Sequence, residues 1–139
     1  MGLKRYRNDK HTRGMAMVEM IFVLPLLVLL VFAIAQFGLM FSRWLTLSNA
    51  VREGARLGVV FRVDCDTASP PVEQQVKDQV VTYARAGGLP LYDTDVTVAG
   101  ECKTGEKLDV SATYSFQINI PFAQIDSIPI SYKSSMRNE

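Results

Sequence analysis

The 139-residue chain is poor in the residues on which catalysis and metal binding usually depend. Its one histidine, His11, lies in a basic stretch near the N-terminus, so the rest of the chain offers no imidazole for a catalytic triad. This histidine and the two cysteines cannot complete a tetrahedral zinc site. No glycine-rich phosphate loop follows a predicted strand. These absences predict a protein that is not an enzyme and that uses no cofactor or metal.

Charged residues are missing from the whole stretch between Met20 and Ser42, and every side chain from Met20 to Ala35 is apolar. About 20 such residues suffice for a helix to cross a bilayer core about 30 Å thick. Pro25 lies within the run, and a membrane helix tolerates a proline because neighbouring groups satisfy the freed carbonyl. The run therefore predicts one membrane-spanning helix in contact with lipid.

The charge on the two sides of this run is unequal. The first 14 residues carry several cations and a single acid, Asp9, whereas acids outnumber bases beyond residue 14. The cations are Lys4, Arg5, Arg7, Lys10 and Arg13. Because loops rich in Lys and Arg stay in the cytoplasm, we expect a cytoplasmic N-terminus and an exported C-terminal domain. A basic tail directly before a hydrophobic helix is explained by this rule, and we expect no nucleic-acid partner.

The N-terminal leader has three possible fates. The apolar run could remain as an uncleaved anchor, or a signal peptidase could cut after Ala35 and leave Gln36 as the new terminus. A cut after Gly14 would instead keep the whole helix and make Met15 the first residue. Glycine suits such a cut because no side chain obstructs the close approach of a peptidase to the backbone.

Glu19 favours the cut after Gly14. A carboxylate at the border of a hydrophobic helix is unfavourable unless it has a partner. The new amine of Met15 would lie one helical turn away on the same face, where it could pair with Glu19 of its own chain or of a neighbouring helix. The alternative is that Glu19 is only a charge at headgroup depth.

Several stretches resemble a known family. They are Gly14-x-x-x-x-Glu19, VLPLL at 23–27, FGLMF at 37–41, NAVREGARLGVV at 49–60 and SSMRNE at 134–139. Together they resemble the TadE-like minor pilins, or pseudopilins, of tight-adherence (Tad, or Flp-type) type IV pilus systems. One position departs from the family pattern, since Met20 stands where Phe or Tyr is usual after the glutamate.

The resemblance implies a structural role in pilus assembly. It implies that residues 1–14 are a class III signal, removed by a prepilin peptidase, and that Met15 and Glu19 act in docking. The implied location is the bacterial inner membrane, and the implied partners are other pilins, the inner-membrane assembly machinery and membrane lipid. The alternative is an anchored or secreted binding module unrelated to pili.

The long helix is predicted to cover residues 15–62, because apolar residues continue at spacings of three and four beyond the membrane run. This stripe consists of Phe37, Met40, Trp44, Leu47, Val51, Gly54, Gly58 and Phe61. Ala50, Gly54 and Gly58 form a row of small residues that allows close approach of another backbone. The approaching backbone belongs to the protein's own domain, to another subunit, or to each of them on different faces. The intervening polar residues, among them Ser48 and Arg52, are expected to face solvent.

Residues 63–139 are predicted to form a small exported α+β domain. Prolines after Ser69 open an amphipathic helix that ends at Gly87-Gly88. Strands are predicted over Asp95–Ala99, Leu108–Ile120 and Ile128–Met136, and the middle one alternates strictly between apolar and polar residues. A sheet with one polar face should be antiparallel. The predicted fold is therefore α+β, with the amphipathic helix packed on a roughly three-stranded antiparallel sheet.

Cys65 and Cys102 lie in two loops of this domain. In an oxidising compartment an isolated pair of cysteines usually forms a disulfide. Such a bond would join the end of the long helix to the sheet and add roughly 3–4 kcal/mol on the chain-entropy model. The alternative is two free thiols.

Overall fold

A computed structural model describes the backbone of residues 10–60, 71–100, 105–120 and 123–137. The elements, in chain order, are helices α1 (Lys10–Val60) and α2 (Val72–Ala86), then strands β1 (Val96–Ala99), β2 (Lys107–Ile120) and β3 (Ala123–Arg137). The strands form one antiparallel sheet in the order β1-β2-β3. The predicted α+β class is therefore confirmed.

The chain divides into two compact units, Met1–Phe37 and Gly38–Glu139. The boundary falls within α1, whereas the sequence placed the start of the exported domain at residue 63. The C-terminal part of α1 contributes to the core of the second unit, which explains why it groups with the sheet and not with the apolar run. Helix α1 also begins at Lys10, earlier in the chain than the predicted start at Met15.

The first unit contains the apolar part of α1, including Pro25. By length and composition, α1 is the one helix in the described part of the chain that could cross a membrane. None of its apolar segment is buried by the rest of the chain. The helix thus exposes large apolar side chains on every face along this segment.

In the second unit, α1 and α2 pack together through small residues on α1. Ala50 is fully buried, and Gly54 and Gly58 are buried beside it. A Cβ atom added to Gly54 would overlap Cγ2 of Val80 and lie 3.3 Å from the Val76 carbonyl oxygen. The two backbones can therefore approach this closely only because residue 54 has no side chain.

Helix α2 buries one face and ends in a glycine cap. Its buried residues recur at helical spacing and consist of Val72, Val76, Val80, Val81 and Ala84. At the end, Leu89 N–H donates to the Ala84 carbonyl and Gly88 N–H to the Arg85 carbonyl, each at 2.9 Å. This is the Schellman arrangement, and Gly88 has the positive φ (75°) that it requires. The predicted helix end at Gly87-Gly88 is confirmed.

The sheet places its apolar face against the two helices. The inward residues include Leu108, Val110, Ala112, Phe116 and Ile130, all buried. Between the Phe116–Ile128 and Ile118–Ile125 pairs, two residues of β3 stand opposite the single Gln117 of β2. This bulge shifts the alternation, which explains why β3 begins at Ala123 although its sequence pattern predicted a start at Ile128. Pro129 lies in β3, an edge strand, where a proline is tolerated.

The expectation that Ser48 faces solvent was wrong. The residue is buried, and its hydroxyl donates a hydrogen bond to the Leu45 carbonyl at 2.9 Å. A serine can be accommodated in a helix interior in this way, because its own helix satisfies the hydroxyl.

We expect Gly54→Ala to destabilise the second unit. Overpacking against the branched Val80 should cost about 1–3 kcal/mol, which the better helix propensity of alanine offsets by at most about 1 kcal/mol. Gly58→Ala should be milder, because the atoms nearest its added Cβ belong to the side chains of Leu108 and Val76, whereas Gly54 also faces a backbone carbonyl. Thermal unfolding in one detergent, followed by near-UV circular dichroism, measures both. Gly38→Ala, with nothing within 4 Å of its added Cβ, is the control, and equal stability of the three variants would contradict the packing described.

Asp109 should make the stability of the second unit depend on pH. Hydrogen bonds from Lys133 and then Ser135 hold the pKa of Asp109 below its ordinary value, and the Lys133 Nζ–Asp109 Oδ2 distance is 2.8 Å. A lowered folded-state pKa means that the stabilisation is present above the unfolded pKa of about 3.9 and disappears as pH falls through the folded value. The difference in unfolding free energy between wild type and Asp109→Asn should therefore shrink in acid. An unchanged difference down to low pH would refute this, and Asp93→Asn, at an exposed aspartate, is the control.

Candidate functional site

The described residues contain no group of three or more His, Cys, Asp or Glu side chains placed to hold a metal ion. The candidate sites in this part of the chain are therefore surfaces, and α1 carries most of them. Three are described in turn: the N-terminal turns of α1, its small-residue row, and an aromatic patch near the start of the second unit.

Gly14, Met15 and Glu19 lie on the first turns of α1, and all three are exposed. Met15 and Glu19 are four residues apart, so their side chains project from the same helical face. Met15 is 77% exposed, and an added Cβ at Gly14 would meet nothing within 4 Å. Nothing else in the described part of the chain covers this segment, so the backbone at Gly14 and the Glu19 carboxylate are accessible to other molecules.

The row of Ala50, Gly54 and Gly58 is buried inside the second unit. Gly54 faces Val76 and Val80 of α2, and Gly58 faces Leu108 of β2 and Val76. Of the two possibilities that the sequence left open, the structure shows the packing within the chain. This row is therefore occupied and is not a free surface of the second unit.

An aromatic patch that was not predicted from the sequence joins α1 to β3. We call Phe41, Trp44, Arg52 and Tyr132 the aromatic–arginine patch. Phe41 stacks on Trp44 with ring centroids 5.9 Å apart, and Trp44 meets the Tyr132 ring edge-on at 6.2 Å. Arg52 lies over the Tyr132 ring at 5.3 Å, and its Nε donates a 2.8 Å hydrogen bond to the Tyr132 hydroxyl.

Sequence reasoning placed Trp44 of this patch on the apolar stripe of the long helix. Arg52 was expected to be solvated, and it is exposed as well as bonded to Tyr132. Arg52 and Tyr132 are 80 positions apart in the chain, and no local pattern links them. Cys65 and Cys102 lie outside the described residues, so their pairing stays a prediction.

The exposed apolar helix and the small sheet domain define a class of protein, namely one whose described residues contain a single candidate membrane span followed by an α+β unit. Within that class, the family model described as TadE-like protein matches residues 14–56. The resemblance seen in the sequence is thereby confirmed over this segment, which is similar to TadE-like proteins. No curated protein sequence and no solved structure matches the chain significantly.

The matched segment begins at Gly14 and ends within the part of α1 that packs on α2. It contains Gly14, Met15, Glu19, Ala50 and Gly54, which are five of the candidate residues taken from the sequence. The family likeness is thus concentrated on the apolar helix and its packing residues and leaves α2 and the sheet unmatched.

Proposed function

We propose that this protein is a minor pilin (pseudopilin) that takes part in the biogenesis of a Tad-type pilus after a prepilin peptidase cuts behind Gly14. One observation carries the proposal: the TadE-like segment begins at the glycine that precedes an apolar helix which the rest of the chain leaves bare. A helix apolar on all faces needs lipid or other apolar helices around it. A pilin-type subunit uses both, first in the membrane and then in a filament.

In this proposal the protein performs no catalysis, and the peptidase supplies the one chemical step. Cleavage leaves the α-amine of Met15 at the border of the apolar run, together with the Glu19 carboxylate on the same face. An unpaired charge is unfavourable in a medium of low dielectric constant, so each group gains from the other or from its counterpart on a neighbouring helix. The pair therefore favours lateral docking of helices in one register.

The two units have separate roles in the proposal. The apolar part of α1 holds the subunit in the inner membrane, with its N-terminus in the cytoplasm, and contacts other pilins and the assembly machinery. The second unit lies outside the cytoplasm, as the distribution of charge around the run suggests. Because the small-residue row is already occupied by α2, contacts with other subunits use the apolar helix and the outer surface of the second unit.

Gly14→Val should block removal of the leader. A branched side chain hinders close approach of a peptidase to the backbone, while the open space around Gly14 accommodates it without disturbing α1. Intact mass of the protein from cells with an active prepilin peptidase should show the full-length precursor.

Gly38→Val is the matched control for this experiment. It lies on the same helix, is exposed, and also has nothing within 4 Å of its added Cβ. It should be processed as the wild type is. Removal of the leader from both variants would contradict the role of Gly14 in the cut.

Glu19→Ala should allow membrane insertion and cleavage but reduce pilus formation, because the Met15 amine loses its partner. Electron microscopy of surface pili, with intact mass to verify cleavage, measures the effect. Glu53→Ala on the same helix, outside the apolar run, should leave piliation unchanged. Normal piliation by the Glu19 variant would show that this carboxylate has no docking role.

A further inference from the structure

The aromatic–arginine patch is an exposed surface with no assigned role. Trp44 is 37% and Phe41 50% exposed, although both pack against neighbouring rings. Arg52 uses Nε for Tyr132 and is otherwise exposed, so its remaining N–H donors are available to a partner. The patch thus offers apolar ring area and a cation side by side.

We propose that the aromatic–arginine patch binds the phosphate-bearing lipid surface of the membrane, so that the second unit rests on the bilayer by its β3 edge. This inference depends on the membrane insertion proposed above but not on cleavage or on a role in pili. Aromatic rings favour the boundary between acyl chains and water, and guanidinium groups bind phosphate.

The connectivity of the chain places this patch next to lipid. The second unit begins at Gly38, directly after the apolar run that ends at Ala35, so its first turns lie at the bilayer surface whichever way the unit is oriented. Phe41 and Trp44 belong to those turns. Because of their position in the chain, Phe41 and Trp44 therefore lie next to lipid.

The packing of α1 on the sheet shows which end of the sheet lies near Phe41. Gly58 lies against Leu108, and Trp44 contacts Tyr132, whose strand partner is Ala112. Helix α1 and β2 therefore run in opposite directions. The part of the β2–β3 hairpin beyond Ala112 consequently lies toward the start of the unit, and its residue Ile128 is 40% exposed.

The distribution of charge supports a phosphate-bearing surface as the partner. The chain has no Asp or Glu from Met20 to Arg52, and no charged residue of either sign from Val110 to Ile125. Asp93 and Asp95 precede β1, at the opposite edge of the sheet from β3. The α1 part of the patch therefore presents a cation and apolar rings to an anionic surface. In β3, Asp126 stands two residues before Ile128, and Lys133 is paired with Asp109.

The single tryptophan of the chain provides the test. In the full-length protein, Trp44→Phe removes the natural fluorophore, and Ile128→Trp or Val60→Trp introduces one at either end of the second unit. Val60, 70% exposed at the end of α1, is the control position. Each variant is reconstituted in vesicles of phosphatidylglycerol and phosphatidylcholine that contain acyl-brominated lipid.

We expect bromine to quench the fluorescence of the Ile128→Trp protein and to leave that of the Val60→Trp protein unchanged. Adding Arg52→Gln to the Ile128→Trp protein should abolish the quenching, as should high salt, which screens the attraction between Arg52 and the anionic phosphatidylglycerol. Arg56→Gln, one turn further along α1 with a side chain 74% exposed, should retain it. Quenching should not change when the protein is diluted in lipid.

Three results would overturn the proposal. Absence of quenching in the Ile128→Trp protein would mean that the unit stands away from the bilayer. Equal quenching after addition of Arg52→Gln and of Arg56→Gln would remove the role of the Arg52 cation. Quenching that rises on dilution in lipid would show that a second copy of the protein covers the patch at higher density.

Discussion

The close approach of α1 to α2 at Gly54 is the contact on which the second unit depends. Val76 and Val80 occupy the space that a side chain at position 54 would need. This approach places α2 and the C-terminal part of α1 together over the apolar face of the sheet, where Leu47, Val51 and Val110 are fully buried. One long helix thereby supplies part of a globular core.

The first half of the same helix, by contrast, is exposed along its whole apolar segment. No residue of this segment is buried by the rest of the chain, and so large an exposed apolar surface is unfavourable in water. Lipid and other apolar helices are the environments that remove it from water. The TadE-like match covers this segment, and the proposed alternation between membrane and filament gives the bare helix a use in both.

Local patterns in the sequence predicted much of this fold. The uncharged run predicted the exposed helix, Gly87-Gly88 predicted the end of α2, and the alternation from Leu108 to Ile120 predicted β2 almost to the residue.

The predictions that were wrong or missing have physical reasons. The bulge opposite Gln117 breaks the two-residue period of β3, and Ser48 is buried because its own helix accepts its hydroxyl hydrogen. The contact between Arg52 and Tyr132 depends on the tertiary fold, which no local period encodes. Of the candidate site, Gly14, Glu19 and the small-residue row came from the sequence, while the aromatic–arginine patch required the structure.

The N-terminus and intact mass of the protein, taken from its native membrane, test the central claim most directly. The account predicts a chain that starts at Met15 and retains the whole apolar helix. A start at Gln36 would leave a domain without the helix on which docking depends, and would contradict the account. A chain that keeps Met1 in the presence of an active prepilin peptidase would contradict it as well, since the protein would then be an anchored module.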